Sequence, residues 1–184
     1  MFLAYRGLVP RVGRDVYVDP SARVIGDVTI EDGAVVLPGT VIRADVAPIR
    51  LREGCAIEDC CVLHADTQVP SDVEPGLTVG EGITVGHGAI VHGALVGDGT
   101  LIGMGAIVLA GAVVGRGCLV AAGALVTEGA RVPDGSLLVG VPGRVLRPVS
   151  DAQRAYLAHA NELYRAWGAA ALAGELREVT PERL

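Results

Sequence analysis

The chain has 184 residues, a length that fits a single domain. Hydrophobic residues make up 51% of it and aromatic residues only 3%, so a core has to be built from aliphatic and small side chains. The 26 glycines do not recur at every third position, which excludes collagen, and the aliphatic content excludes a disordered chain. The formal net charge of −6 argues against nucleic acid as a ligand, because phosphate binding needs a basic surface.

The sequence also lacks the usual signals for export and membrane insertion. Glycine and charged residues interrupt every apolar run before it reaches the roughly 20 residues of a membrane span. The first six residues do not form the basic and apolar segments of a secretory signal. Four cysteines, two of them adjacent, do not resemble a disulfide framework. We therefore expect a cytoplasmic protein with no membrane and no nucleic acid among its partners.

A six-residue repeat runs through most of the chain. Aliphatic residues fall six apart over residues 12–42 and again over 79–126, where a single step of five interrupts the spacing. A helix would space apolar residues by three and four, and a flat strand by two. Period six is instead typical of short strands joined by tight turns, three per triangular coil, with the aliphatic side chain pointing inward. The pattern predicts an all-β solenoid over about residues 12–140, with roughly six coils.

The narrow interior of such a solenoid explains the shortage of aromatic residues. The same small slot recurs in each coil, so a ring does not fit inside it. The position four residues after each inward aliphatic is small or branched, and three cysteines occupy it: Cys55, Cys61 and Cys118. We predict that these cysteines pack in the core.

The composition changes after the solenoid. A turn cluster at residues 140–143 is followed by Ser150 to Gln153, which has the form of a helix capping box. A stripe at helical spacing follows, formed by Tyr156, Ala160, Leu163 and Trp167. The predicted organisation is a solenoid domain at 1–145, a helix packing on it at 146–174, and a tail at 175–184.

Three of the four histidines lie within 29 residues of one another. His64 and His92 each directly follow an inward aliphatic residue. Between Leu63 and Val79 an insertion of ten residues interrupts the period, and without it the two histidines are one coil apart. They are therefore predicted to lie side by side on one face, about one strand spacing (~4.8 Å) apart, where they can share a metal ion.

The third histidine, His87, follows the preceding face near a corner. We do not expect it to reach the same ion within its own chain. In a trimer of parallel solenoids, however, a corner histidine of one subunit can meet the pair of the next. Three neutral imidazoles with an open fourth position are a ligand set of catalytic zinc. The histidines thus predict Zn²⁺ between the subunits of a homotrimer, with Fe²⁺ or Co²⁺ as alternatives, because imidazole suits all three.

The residues around the histidines resemble those of the γ-class carbonic anhydrases, which are hexapeptide-repeat proteins. The resemblance extends over about residues 10–165 and rests on Val41-Ile42-Arg43-Ala44-Asp45-Val46, Glu58-Asp59, Val62-Leu63-His64, Val85-Gly86-His87, Val91-His92-Gly93 and Ile102-Gly103-Met104-Gly105. It implies a left-handed β-helix and the reversible hydration of carbon dioxide to bicarbonate at metal sites shared between subunits. It also associates Arg43, Asp45 and Asp59 with subunit-crossing ion pairs and the metal pocket, and it places a helix tyrosine and asparagine near His159 and Asn161.

Two departures from the family leave catalysis open. The family has Asn-x-Gln-Asp where this chain has Ala56-Ile57-Glu58-Asp59, and Glu58 is acceptor-only when ionised. We predict that Glu58 acts as a base, anchors the solvent or changes which substrate is tolerated. Val46 stands where active members have a glutamate, and their acidic proton-shuttle loop has no clear equivalent. Three acidic residues in the insertion are candidates to replace it: Asp66, Asp72 and Glu74.

Two other functions fit the same sequence. One is a non-catalytic, metal-binding trimeric scaffold or binding protein of the same family. The other is a hexapeptide-repeat acyltransferase, which would use one interface histidine as a general base and does not need two histidines one coil apart.

Overall fold

A computed structural model describes residues 1–177 of the protein. Short strands, most of them two or three residues long, alternate with tight turns and wind into a solenoid with three faces. Successive coils pair in parallel, and one helix follows the solenoid. The predicted parallel β-helix of hexapeptide repeats with a C-terminal helix is confirmed.

Each face of the solenoid stacks seven parallel strands in the described residues, counting β4 and β6 on two faces. Face 1 consists of β1 (Phe2–Leu3), the first halves of β4 (Arg23–Ile30) and β6 (Val41–Leu51), β8 (Val62–His64), β11 (Ile90–His92), β14 (Ile107–Val108) and β17 (Leu125–Val126). Face 2 consists of β2 (Arg11–Val12), the second halves of β4 and β6, β9 (Leu77–Val79), β12 (Leu95–Val96), β15 (Val113–Val114) and β18 (Arg131–Val132). Face 3 consists of β3 (Tyr17–Val18), β5 (Val35–Val36), β7 (Ala56–Ile57), β10 (Thr84–Val85), β13 (Leu101–Ile102), β16 (Leu119–Val120) and β19 (Ser136–Val139). A final strand, β20 (Arg144–Pro148), pairs antiparallel with β19.

The core fills the inside of the prism with stacked aliphatic side chains. On face 3, Val85 pairs in register with Ile57 on one side and Ile102 on the other, and all three are fully buried. Burial of each such side chain stabilises the fold by roughly 1.5–3 kcal/mol. Because every coil presents the same inward position, regular stacking holds the outward residues of adjacent coils in register as well.

The three cysteines predicted to pack in the core are buried, as expected. Burial raises the pKa of Cys55 and of Cys61 to about 12, because a thiolate in the prism would lose its hydration. Both thiols therefore stay protonated near neutral pH, as is usual for cysteines that pack in a core. Cys60, by contrast, is exposed at a turn.

The helix, α1 (Asp151–Leu172), begins with the predicted capping box and packs on face 3. The Ser150 hydroxyl accepts a hydrogen bond from the Gln153 N–H, and the Gln153 side chain accepts one from the Ser150 N–H. In the described residues α1 lacks the apolar length that a membrane crossing would need. Residues 178–184 of the predicted tail lie outside the described residues.

The face that α1 turns towards the solenoid coincides only in part with the predicted stripe: Ala160 is buried and Trp167 packs edge-on against Tyr17 of β3, whereas the other two members stay exposed. Tyr156 and Leu163 are 58% and 56% exposed. The buried helix residues are Leu157, Ala160, Asn161 and Gly168. A β-carbon on Gly168 would lie only 2.5 Å from a methyl group of Val35, so this glycine permits the close approach of helix and sheet. That tertiary contact sets the rotation of the helix about its axis.

One buried carboxylate makes the stability of the N-terminal coils depend on pH. Asp19 accepts hydrogen bonds from the Tyr17 hydroxyl at 3.1 Å and from the Ser21 N–H at 2.8 Å. Burial alone would raise the pKa of Asp19, but the hydrogen bonds from Ser21 and Tyr17 outweigh it and lower the pKa. The pKa of Asp19 in the folded state is below its value of ~3.9 in the unfolded state, so the ionised carboxylate stabilises the fold. This stabilisation is fully present above pH ~3.9 and is lost as the pH falls through the folded-state pKa.

Replacement of this carboxylate is therefore expected to change how the free energy of unfolding falls at acid pH. Asp19→Asn should lower the free energy of unfolding by about 1–3 kcal/mol at pH 7 and make it less sensitive to pH below ~4. Urea unfolding followed by circular dichroism between pH 3 and pH 7 measures both effects. Asp27→Asn, which alters an ion pair with the exposed Arg11, is the control and should cost about 0–1 kcal/mol. Identical acid profiles for wild type and Asp19→Asn would contradict the assignment.

Candidate metal centre

His64 and His92 lie side by side at one edge of face 1. Strands β8 and β11 pair in register, which places His92 directly opposite His64. The centroids of the two imidazole rings are 5.0 Å apart, and the ring planes are tilted by 39°. The predicted juxtaposition of these two side chains is thus present, and it depends on the solenoid continuing in phase across the ten-residue insertion.

Each of these imidazoles has a carboxylate partner. The Nε2 atom of His64 lies 2.8 Å from Oδ1 of Asp45, which also forms an ion pair with Arg43. The Nδ1 atom of His92 lies 3.5 Å from Oδ2 of Asp66. Burial alone would raise the pKa of Asp45, but hydrogen bonds with His64 and Arg43 lower it. A carboxylate that contacts one ring nitrogen orients the ring and leaves the lone pair of the other nitrogen for a metal ion. This arrangement is usual for metal-ligating histidines.

His87 lies at the opposite edge of face 1, in the turn between β10 and β11. Its Nε2 atom is 3.0 Å from Oε2 of Glu58, and its Nδ1 atom is 2.9 Å from Oδ2 of Asp59. The His87 backbone N–H also donates to Glu58 at 2.8 Å. The structure therefore brings Glu58 and Asp59 to His87, and Arg43 and Asp45 to the histidine pair.

A residue that the sequence did not single out completes the His87 cluster. The hydroxyl of Tyr164 on α1 lies 3.3 Å from Nε2 of His87. Burial and the neighbouring Glu58 carboxylate raise the pKa of Tyr164 to about 12, so its hydroxyl stays protonated. The resemblance placed a helix tyrosine near His159; Tyr164 lies five residues further on. Tyr164 could have been found from its helical spacing, because it lies on the same side of α1 as Asn161 and Gly168. That spacing is informative only once the buried face of the helix is known.

The asparagine expected near the site has a structural role within this chain. Asn161 is buried, and its Nδ2 donates to the carbonyl oxygens of Gly54 and Ile83 at 3.0 and 3.1 Å. These bonds tie α1 to two successive coils beside His87. They therefore hold Tyr164, one turn along the helix, in its position.

The histidine pair at one edge of face 1 and His87 at the other edge are two half-sites. They fit a metal when the half-sites come from different copies of the chain. Within residues 1–177 of a single chain, no group of three or more histidine, cysteine or acidic side chains is arranged so that it could hold a metal ion. The pair at one edge of face 1 offers two nitrogen donors with carboxylate support, and the opposite edge offers the third imidazole. Three imidazoles suit zinc, iron(II) and cobalt(II). The donor set thus fits the predicted metal if His87 comes from a second copy of the chain and one of its ring nitrogens exchanges its carboxylate partner, Glu58 or Asp59, for the ion.

The ten-residue insertion places one acidic residue beside the pair. Asp66 lies against Gly93, which has a φ of +54° and where a β-carbon would lie 2.5 Å from the Asp66 β-carbon. Asp72, further along the insertion, forms an ion pair with Arg131 at 2.7 Å. The insertion therefore follows the corner between faces 1 and 2, and Gly93 lets Asp66 approach His92.

Gly93→Ala tests whether Asp66 supports metal binding. Both Gly93 and Gly99 have positive φ, but only Gly93 faces a neighbouring atom within 4 Å, so Gly99→Ala is the matched control. Each substitution should cost about 1–2 kcal/mol of stability for the left-handed backbone. Gly93→Ala should in addition weaken zinc binding by about 10–100-fold, measured by competition with a chromophoric chelator. Equal zinc affinities for the two variants would show that Asp66 does not support the site.

The fold and the paired histidines together define the class. A three-faced β-solenoid built on a six-residue period, with histidines stacked by its register, is a hexapeptide-repeat architecture. The family model described as bacterial transferase hexapeptide (six repeats) matches residues 10–44 and 93–128. A hexapeptide transferase family protein from Anaplasma phagocytophilum is 34% identical, with 96% of this chain and 98% of that one covered and a TM-score of 0.85. The chain belongs to the hexapeptide-repeat family.

Other relatives carry different names. A candidate acetyltransferase from Bacillus cereus is 29% identical, covers 94% of this chain and 97% of its own, and has a TM-score of 0.88. A carbonic anhydrase from Geobacillus kaustophilus is 34% identical over 80 residues, 44% of each chain. The carnitine operon protein CaiE of Citrobacter koseri is 36% identical over 63 residues, 34% of this chain and 32% of that protein. The chain thus matches less than half the length of these two curated relatives.

Proposed function

We propose that the protein is a metal-dependent, γ-class carbonic anhydrase-like trimer that hydrates carbon dioxide at metal centres between its subunits. The observation that carries this proposal is the register pairing of His64 with His92, with His87 at the opposite edge of the same face. The similarity to the Geobacillus carbonic anhydrase supports the choice of substrate.

The exposed surface of face 1 supports self-association. Face 3 is covered by α1, and the insertion lies beside face 2. Face 1 instead carries an outward apolar row, in register across five coils, formed by Val41, Val62, Ile90, Ile107 and Leu125. Val62 and Ile90 are 40% and 37% exposed. A second copy packed against this row would bury it and bring a third imidazole towards the histidine pair.

Residues of both half-sites have roles in the proposed reaction. His64, His92 and the His87 of a second copy would hold the zinc ion, which would supply a bound water with its pKa lowered to about 7. Asp45 and Asp66 orient the two paired imidazoles, and Arg43, which pairs in register with His64, attracts the bicarbonate product. Hydration of carbon dioxide releases one proton for each bicarbonate formed. Glu58, held beside His87, accepts that proton and passes it to solvent, while the Tyr164 hydroxyl donates a hydrogen bond at the same edge.

Metal content and hydration rate test the proposal together. Protein purified from a metal-replete culture should contain about one zinc per chain, and stopped-flow assays with zinc and with iron(II) should show carbon dioxide hydration. His87→Ala should lose the metal, whereas His159→Ala on the exposed side of α1 should keep it. Metal-free trimer from metal-replete cells would contradict the metal site. Fully loaded protein without hydration activity would contradict the catalytic role and support the scaffold function.

The names of the structural relatives favour one alternative function. The matching family model and the two full-length structural relatives are described as transferases. Such an enzyme would use His87, with Glu58 as its partner at 3.0 Å, as a general base towards an acyl acceptor. Calorimetric titration with acetyl-CoA separates the two functions, because the carbonic anhydrase-like protein should show no saturable heat.

A further inference from the structure

A cleft of about 370 Å³ lies between α1 and face 3, next to His87. The helix contributes Tyr156 and Leu163 to its walls, and the solenoid contributes Leu101, Met104 and Leu119. Tyr156, Leu163 and Met104 are each more than half exposed. Large apolar side chains clustered around a recess mark a binding site more often than an ordinary surface does.

The carboxylate and the imidazole that line the cleft lie at one end of it. On face 3 the strands follow one another in the order β7, β10, β13 and β16. Glu58 and His87 belong to the turns after β7 and β10, and Tyr164 reaches the same level. Met104 follows β13, and Leu119 lies on β16 at the other end. A ligand in the cleft would therefore contact a carboxylate, an imidazole and the Tyr164 hydroxyl at one end, and largely hydrocarbon along the rest of its length.

We propose that this cleft binds an uncharged amphiphile with a hydrocarbon body and a hydroxyl-type head, such as a medium-chain alcohol. The volume falls within the ~300–1,000 Å³ of typical small-molecule pockets, far more than a molecule of three heavy atoms such as carbon dioxide fills. The site goes beyond the proposed hydration of carbon dioxide and needs no metal to form.

The charges at the polar end determine the head group. Glu58 lines that end and contacts His87, and Asp59 contacts the same imidazole from outside the cleft lining, so two carboxylates face one imidazole. Coulomb repulsion from these carboxylates disfavours an anionic head, whereas a hydroxyl can donate to a carboxylate oxygen and accept from the Tyr164 hydroxyl.

The shape of the cleft distinguishes a small ligand from a second copy of the chain. The apolar row of face 1 lies on the outer surface of a sheet, which suits packing against another solenoid. The cleft is instead a recess between a helix and a sheet. We therefore assign the cleft to a small molecule and the row of face 1 to a partner subunit.

The two methionines of the chain, Met1 and Met104, provide a direct test. Full-length protein labelled with ¹³C-methyl methionine gives one signal from the cleft and one from the N-terminus. On titration with 1-octanol, the Met104 methyl signal should shift and saturate, and the Met1 signal should not move. Leu163→Gln should weaken this binding by about five-fold. Leu146→Gln on β20, where the side chain is also exposed, should leave it unchanged.

Two further titrations complete the test. Octanoate should bind more weakly than 1-octanol because its head is anionic, and equal binding would overturn the assignment of the head group. Parallel, unsaturable shifts of both methionines would overturn the site. A Met104 signal that depends on protein concentration but not on 1-octanol would assign the cleft to a second copy and also overturn it. These outcomes are independent of zinc content and hydration rate, so failure here is distinguishable from failure of the proposed function.

Discussion

Trimers assembled from two defective chains are expected to regain zinc. One chain carries His64→Ala and His92→Ala, and the other carries His87→Ala. Each chain alone should form trimers without zinc, because every site lacks at least one imidazole. A site in the mixed trimer is complete when the intact histidine pair of one chain faces the intact His87 of the other. Random assembly from equal amounts of the two chains gives this arrangement at about one quarter of the interfaces.

Co-expression of the two chains, isolation of the trimer and atomic absorption measure this effect. Zinc should rise from near zero to about a quarter of the wild-type content, and carbon dioxide hydration should return in proportion. A control co-expression that carries His87→Ala on both chains should stay free of zinc. If the mixture also stayed free of zinc while the wild type bound it, the metal site would lie within one chain and the shared-site proposal would be wrong.

The second large effect is expected from the apolar row of face 1. Ile90→Asp should convert the proposed trimer into monomers and abolish metal binding in the same step. The Ile90 side chain is outward and 37% exposed in one chain, so the substitution does not disturb the interior of the prism. In the assembly, however, it would bury an unpaired carboxylate at each interface, which costs several kcal/mol per site.

Light scattering with size-exclusion chromatography gives the mass, and circular dichroism shows whether the solenoid remains folded. Val145→Asp is the matched control, because Val145 is 47% exposed on β20 at the end of face 3, away from the row. This control should remain trimeric and keep its zinc. A trimeric, zinc-loaded Ile90→Asp protein would place the subunit interface on another surface.

Local geometry explains why the solenoid was predictable. A coil of three short strands needs one inward aliphatic residue on each side. The aliphatic residues therefore recur every six positions, and this period is visible in the sequence. Counting coils across the insertion was then enough to bring His64 opposite His92. The burial of Cys55 and Cys61 followed from the same arithmetic, since both occupy the small inward slot.

The helix shows where such counting fails. Periodicity predicted that Tyr156 and Leu163 pack on the solenoid, whereas both remain more than half exposed at the walls of the cleft between α1 and face 3. Helical spacing identifies a stripe but not the rotation of the helix against its neighbour. Gly168 decides that rotation by allowing contact with Val35, and Tyr164 reaches His87 as a result.

The sequence by itself determined the repeat, the parallel β-helix, the aliphatic core and the stacking of two histidines, because each depends on residues at fixed spacing along the chain. Only the tertiary structure decided which carboxylates serve which histidine. Glu58 and Asp59 meet His87, and Asp45 meets His64, because side chains from different coils and from α1 converge at opposite edges of one face. These contacts depend on the direction of each side chain at a corner and on the docking of the helix, and neither follows a period of six.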